Sequence, residues 1–220
     1  MEADGNRFLH ELAPFDRLLE DGLAVRLRPV NPDDSTRIHR AYDLLSEESR
    51  LNRFWERSQR LGEAHVERLT YVDGEDHVAW IVLDPSDEGF PGFGGASYWR
   101  EAGDRSRAEI AFTIADDWQR SGLATLLFSV LWFDGWHDGV RIFVAQCRNK
   151  NRAMRRWWAD MGGTDIEENH HCRLSLNLVS PDVFLERIAY EVRPSYRLIE
   201  TAEWLRDWME VTGGSEKNVS

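Results

Sequence analysis

Cysteine is scarce: the 220 residues contain only Cys147 and Cys172. They show no close pairing and neither the framework of a small disulfide scaffold nor the spacing of a zinc site, so a reducing compartment and no bound metal are expected. Long apolar runs are missing as well. No stretch approaches the ~18–20 residues of a membrane span, and the chain opens with Asp and Glu rather than a basic start and an apolar segment. The expectation is a cytoplasmic protein with no membrane association. Basic residues are in deficit, with 27 Lys+Arg against 39 Asp+Glu and a net charge of −12. That argues against a nucleic-acid partner, which requires clustered Lys and Arg facing phosphates, and suits a basic or amine-bearing substrate. No Pro/Gly/Ser-rich linker, internal repeat or low-complexity tract divides the sequence, which is long enough for one well-buried core.

What is present is an ordered succession of periodic segments. Residues 23–30 alternate apolar and charged side chains up to Pro29, a strand pattern. Asn31-Pro32-Asp33-Asp34 starts a helix with Ile38, Ala41, Tyr42 and Leu45 at helical spacing, and Ser46-Glu47-Glu48-Ser49 starts a second with Leu51, Phe54 and Trp55. Residues 62–71 form a third helical stretch. Residues 77–83 and 94–99 are strand-like, divided by a turn-rich segment, and residues 107–115 are the next strand. A helix over 119–133, a strand over 140–147, a helix over 149–161 and a last strand over 172–179 complete the core. Beyond them lie two helical patterns, 183–190 and 196–208, broken at Pro194. Leu198, Ala202, Leu205 and Trp208 would share one face, which packs on the domain or, in a homodimer, on a second subunit.

The most informative stretch is 109–124, a buried-strand pattern running into a glycine-containing turn that opens an apolar helix. The first N–H groups of such a helix have no intrahelical acceptors and point, with the positive end of the helix dipole, at whatever binds there. A pyrophosphate fits that site, and Gly122 lets it approach the backbone closely.

This stretch resembles the acetyl-CoA loop of the GCN5-related N-acetyltransferase (GNAT) superfamily, whose Gln/Arg-x-x-Gly-x-Gly/Ala pattern is matched by Gln119, Gly122 and Ala124. The order of strands and helices is that family's order. Narrower strings, namely Leu45-Ser46-Glu47-Glu48-Ser49-Arg50, Arg53-Phe54, Leu69-Thr70, Val72-Asp73 and His77-Val78-Ala79, resemble the acetyltransferase domain of bacterial protein lysine acetyltransferases acting on acyl-CoA synthetases. The resemblance implies an α+β fold, a mixed, mostly antiparallel twisted sheet with helices on both faces. It divides the chain into an extension over 1–22, the acetyltransferase domain over 23–179 and a helical tail over 180–220.

It also implies acetyl-CoA as cosubstrate and roles for particular residues. The N–H groups of Gln119, Arg120, Ser121, Gly122, Leu123, Ala124 and Thr125 would hold the pyrophosphate. The main chain of Phe112, Thr113 and Ile114 would pair with the pantetheine, and Asn151 would touch the same arm. Glu109 would be the general base, its pKa raised by burial, for an acceptor that is a protein lysine or a small amine. Pairing with Arg105 or Arg107 would instead make Glu109 structural. Counting along the family pattern puts Trp158 where many relatives have a tyrosine acid and Gly163 where they have phenylalanine, departures that would also suit a degenerate domain binding acyl-CoA without catalysis. The basic run Arg148, Lys150, Arg152, Arg155 and Arg156 either meets cofactor phosphates or is a solvated helix face. His170-His171-Cys172 does not make a metal site, because adjacent strand residues alternate sides.

Overall fold

The computed structural model describes residue 9, residues 13–187 and residues 196–214. In chain order the elements are β1 (Phe15–Leu18), β2 (Ala24–Pro29), α1 (Ser35–Asp43), α2 (Glu47–Phe54), α3 (Glu63–Thr70), β3 (His77–Leu83), β4 (Gly94–Glu101) and β5 (Asp104–Ile114). After these come α4 (Leu123–His137), β6 (Ile142–Arg148), α5 (Arg152–Asp160), β7 (Thr164–Glu168), β8 (His171–Asn177), α6 (Pro181–Arg187) and α7 (Tyr196–Gly214). The strands form one eight-stranded sheet in the order β1-β2-β3-β4-β5-β6-β8-β7. Every pairing is antiparallel except that of β5 with β6, which is parallel. This is the α+β architecture that the family resemblance implies.

β3 shows how the layers are built. All seven of its residues are buried, the pattern of a strand covered on both faces. Val78, Trp80 and Val82 face the large core under α4, while Ala79, Ile81 and Leu83 face the side where Ile38 of α1 packs. α4 is apolar all round, buried at almost every position from Leu123 to Gly135, because the sheet lies on one side of it and α7 on the other. Leu198, Ala202 and Leu205 of α7 are buried in that same core. Of the two arrangements open to this helix, the structure has it docked on its own domain.

Three elements differ from expectation. β1 is four residues with only Phe15 buried, too short to alternate visibly. It forms because Phe15 pairs across from Leu27 and packs among Trp80, Trp204 and Trp208, with ring centroids 4.8–5.5 Å away. Arg17 adds an ion pair to Glu200 at 2.9 Å. β7, Thr-Asp-Ile-Glu-Glu, has a single apolar residue and is an edge strand held by its ladder to β8. The helix expected from residue 119 begins at Leu123, because Gly122 is left-handed (φ 99°) and residues 116–118 form a separate 3-10 turn. Residues 188–190 and Pro194 lie outside the described residues.

One carboxylate joins the layers. Asp134 on α4 is 1% exposed and accepts from the Trp80 indole Nε1 at 2.8 Å and from the Leu9 backbone N–H at 2.9 Å. Replacing it by alanine strands two buried donors, so Asp134→Ala should lower unfolding free energy by about 2–4 kcal/mol in urea titrations, with no change in m.

Candidate active site

The parallel pairing of β5 with β6 is short. It covers Arg107↔Ile142, Ala108↔Phe143 and Glu109↔Val144 and then stops. Past that point β5 stays with β4 as far as Gly94↔Ile114, and β6 stays with β8 as far as Arg148↔His171. The sheet therefore splits, and the backbone from Ile110 to Ile114 has one edge without a strand partner. The split opens a cleft of about 740 Å³. Trp157 of α5 stands across it, edge-on to Phe112 at 5.2 Å and to Phe128 at 5.9 Å, with its Nε1 donating to Thr125 Oγ1 at 3.2 Å.

At one end of the cleft the chain turns into α4. Arg120 (φ 68°) and Gly122 (φ 99°) are both left-handed, a conformation in which backbone N–H groups converge on a concavity. The first bond of the helix runs from Leu126 N–H to the Gly122 carbonyl at 3.0 Å, so the N–H groups of Leu123, Ala124 and Thr125 have no intrahelical acceptor. Two side chains hold the turn. Gln119 Nε2 donates to the Ile114 carbonyl at 3.3 Å and to Ser49 Oγ at 3.1 Å, and Ser121 Oγ donates to the Trp118 carbonyl at 2.6 Å. Of the expected residues, Phe112, Thr113, Ile114, Gln119, Arg120, Gly122, Ala124, Thr125 and Asn151 border the cleft. Ser121 and Leu123 do not, Leu123 because its side chain is in the core. They can offer only backbone.

The α2 end is strapped to the same turn. Asp116 accepts from Ser46 N–H at 3.0 Å, Ser46 Oγ at 2.6 Å and Ser49 Oγ at 3.0 Å. Burial alone would raise the Asp116 pKa, but these hydrogen bonds hold it below the ordinary carboxylate value.

Glu109 borders the other end of the cleft. It lies in one row with His77 and Trp99 across β3, β4 and β5, so the three side chains share a face. Neither candidate partner pairs with it: Arg105 binds Asp76 at 2.6 Å and Arg107 binds Glu101 at 3.0 Å. Nor is it buried. Glu109 is the last paired residue before the sheet divides, and its side chain is exposed to the cleft. Its charge acts on Arg53 of α2, and Arg68 of α3 lies near Arg53 and over Trp99, which is opposite Glu109 on β4; neither arginine was singled out for chemistry by the sequence, where the only signal was the string Arg53-Phe54. Burial pushes Arg53 down to about 10, Glu109 opposes that shift and Arg68 adds to it.

Around Trp99, Arg68 lies over the ring at 5.2 Å and His77 stacks on it at 4.4 Å. The His77 Nδ1 lies 2.6 Å from the Tyr71 carbonyl, which can only accept, so Nδ1 carries the proton. Its Nε2 is buried without a partner.

On α5, Asn151 caps the helix, its Oδ1 accepting from Met154 N–H at 3.1 Å. Trp158 turns away from the cleft. It is 1% exposed and donates to the Ser175 carbonyl at 3.2 Å. A Cβ at Gly163 would overlap that indole, so the two departures from the family pattern are one packing arrangement. Arg155 of the basic run is taken by Asp165 at 2.7 Å and Glu167 at 3.6 Å, and Arg148 donates to Asn52 at 3.2 Å. The two cysteines, 25 residues apart in sequence, are directly opposed across β6 and β8, both buried and reduced. Among the described residues no group of His, Cys, Asp and Glu is placed to hold a metal, and no helix is long and apolar enough to cross a membrane.

The strand split, the left-handed turn and the bare helix N-terminus together give a cleft with an unpaired strand edge along one wall and converging N–H groups, suited to an anion, at one end. Residues 24–164 match the acetyltransferase (GNAT) domain family, and the chain belongs to it. It is similar to acetyltransferase Pat of Mycolicibacterium smegmatis, 31% identical over 158 residues that cover 72% of this chain and 46% of that protein. The chain thus spans about half the length of that relative. Acetyltransferase PA5475 of Pseudomonas aeruginosa is 30% identical over 137 residues, 62% of this chain and 73% of that protein. Among solved structures, the GNAT domain of S. lividans PAT superposes with a TM-score of 0.68 at 28% identity, covering 75% of this chain and 97% of that one.

His77 gives a pH test. Burial lowers its pKa below the ordinary 6.5; the Tyr71 carbonyl and Asp73 partly oppose this, while Arg68 and Arg53 reinforce it. The unfolded chain therefore takes up this proton first as pH falls. Stability should be unaffected by His77 above about pH 7 and should decline as pH drops through 6.5. Melting curves between pH 8 and 5 should show a smaller decline in His77→Phe.

Proposed function

We propose that the chain transfers the acetyl group of acetyl-CoA directly to an amine, with a protein lysine as acceptor and Glu109 as general base. The observation that carries the reading is the placement of Glu109 at the fork of the sheet. From there to Ile114 the bare edge of β5 runs about 17 Å, the length of an extended pantetheine arm, and ends at the turn over α4. In this reading Phe112, Thr113 and Ile114 pair with the arm through their backbone, and Asn151 borders it. The N–H groups from Gln119 to Thr125, with Gly122 leaving room, take the pyrophosphate. The Arg120 side chain adds charge at the same end.

Acetyl-CoA supplies a thioester, an acyl group already activated toward an amine. A lysine amine has a pKa near 10.4, so at neutral pH only about one in 10³ is unprotonated. Glu109 takes one proton from the ammonium, directly or through water, which frees the lone pair that bonds to the thioester carbon; as the carbon–sulfur bond breaks, the second nitrogen proton leaves to water or to the departing thiolate. A thiol of pKa about 8.5 departs as thiolate without an acid beside it, so the absence of a tyrosine at 158 does not argue against turnover. The packing of Trp158 against Gly163 gives both departures a structural account that does not need a degenerate domain.

The strings shared with protein lysine acetyltransferases favour a protein acceptor over a small amine. Trp55, which borders the cleft and is 48% exposed, offers a protein surface an apolar contact. A polycationic small amine would meet Arg53 and Arg68 beside Glu109. The chain has two lysines of its own, Lys150 and Lys217, so self-modification adds little background.

Glu109→Gln should cut turnover roughly 10²–10⁴-fold and leave acetyl-CoA affinity within about twofold of wild type; an unchanged rate of CoA release would remove Glu109 as base. Calorimetric titration should show acetyl-CoA binding in the wild type and none in Gly122→Trp. Retained binding in that variant would displace the cofactor from the turn.

A further inference from the structure

Most arginines that line this acidic protein's sheet and helices are engaged. On α2 and just beyond it, Arg50 donates to the Tyr42 carbonyl at 3.2 Å and to the Asp43 carbonyl at 3.0 Å, and Arg57 pairs with Glu47 at 2.8 Å. Arg53, between them in sequence, and Arg68, across on α3, have no hydrogen bond or ion pair among the described residues. Both border the cleft at the Glu109 end. The Arg53 Nε is buried with no partner, an arrangement that costs stability unless an acceptor arrives. Glu109 is the carboxylate that acts on Arg53, at more than ion-pair distance, while Arg68 adds a second positive charge near it. The Arg53 guanidinium thus faces a cleft with a buried donor that no described acceptor meets.

We infer that Arg53 and Arg68 form a carboxylate-binding subsite beside Glu109. The placement rests on the acetyl-transfer reading, in which phosphates occupy the far end of the cleft and only the acyl group or the acceptor reaches this one. A planar guanidinium matches a carboxylate with paired N–H donors. The subsite also has a catalytic benefit. A bound carboxylate neutralises the excess positive charge that would otherwise oppose an ammonium entering toward Glu109. The carboxylate has two sources of the same chemistry: the end of a dicarboxylic acyl chain on CoA, or an acidic residue next to the target lysine.

Calorimetric binding separates them. One arm compares succinyl-CoA with acetyl-CoA on the wild-type protein. The other, with CoA saturating, compares peptides containing Glu-Lys-Glu and Gln-Lys-Gln. In one arm the carboxylate-bearing probe should bind roughly 10- to 100-fold more tightly than its neutral counterpart. Arg53→Gln and Arg68→Gln should each reduce that preference to within about threefold, while Arg57→Gln keeps it. Arg68 is exposed on α3, so its variant reports even if the Arg53 variant folds poorly. Equal affinities within both pairs, or a preference that survives both substitutions, would overturn the subsite and leave acetyl transfer standing. Absence of acetyl-CoA binding to the wild type would overturn both.

Discussion

The early end of one strand pairing governs this molecule. Among the described residues β5 and β6 are the only parallel neighbours, and their ladder ends at Glu109↔Val144 while each strand continues with its other partner. Two half-sheets diverge from that point, and backbone that would be consumed in a closed sheet is left on the edge of β5. An unpaired edge inside a fold is costly in general. Here it borders a cleft of about 740 Å³, where a ligand with amide groups of its own can complete the ladder. Trp157 spans the opening and ties α5 to α4 through Thr125, so the split is propped on the side of the main core.

The two ends of the cleft use different physics. At the α4 end the work is done by backbone. Left-handed residues at 120 and 122 and the unbonded N–H groups of the first helical turn make a fixed, dipolar concavity suited to an anion. The side chains nearby, Gln119, Ser121 and Asp116, are committed to holding the turn to β5 and to α2. At the Glu109 end the work is done by charged side chains. Glu109, Arg53 and Arg68 come from β5, α2 and α3, and all three border the cleft because α2 and α3 cover the same face of the sheet that Glu109, Trp99 and His77 occupy. Trp99, with Arg68 over its ring and His77 stacked on it, gives that end a rigid floor.

The stability of the scaffold is concentrated on the opposite face. The large core gathers α4, α7 and the inward residues of the strands, with Asp134 bonding α4 both to β3 and to the N-terminal segment at Leu9. The site face carries smaller clusters around Tyr42 and Val30. A well-packed side thus supports a side whose helices present polar and charged groups to a cleft. Trp158 belongs to the supporting side. Its indole fills the space that a side chain at 163 would need, which explains why two family positions differ together.

The sequence by itself determined the segment order, the glycine turn and the place of Glu109 within the decisive strand, because these depend on local periodicity and on the steric freedom of one residue. The family was legible through the resemblance that the same stretch carries. Only the tertiary structure decided what depends on distant partners. β1 and β7 are too short and polar to read alone and exist through their neighbours' ladders. The start of α4 was displaced by four residues by a backbone conformation that composition does not display. Which way Trp157 and Trp158 face, and that Glu109 stands beside Arg53 and Arg68 rather than Arg105 or Arg107, follow from how helices lie across strands. Adjacent positions in sequence fix a period, but contacts across 40 or 50 residues are fixed by packing.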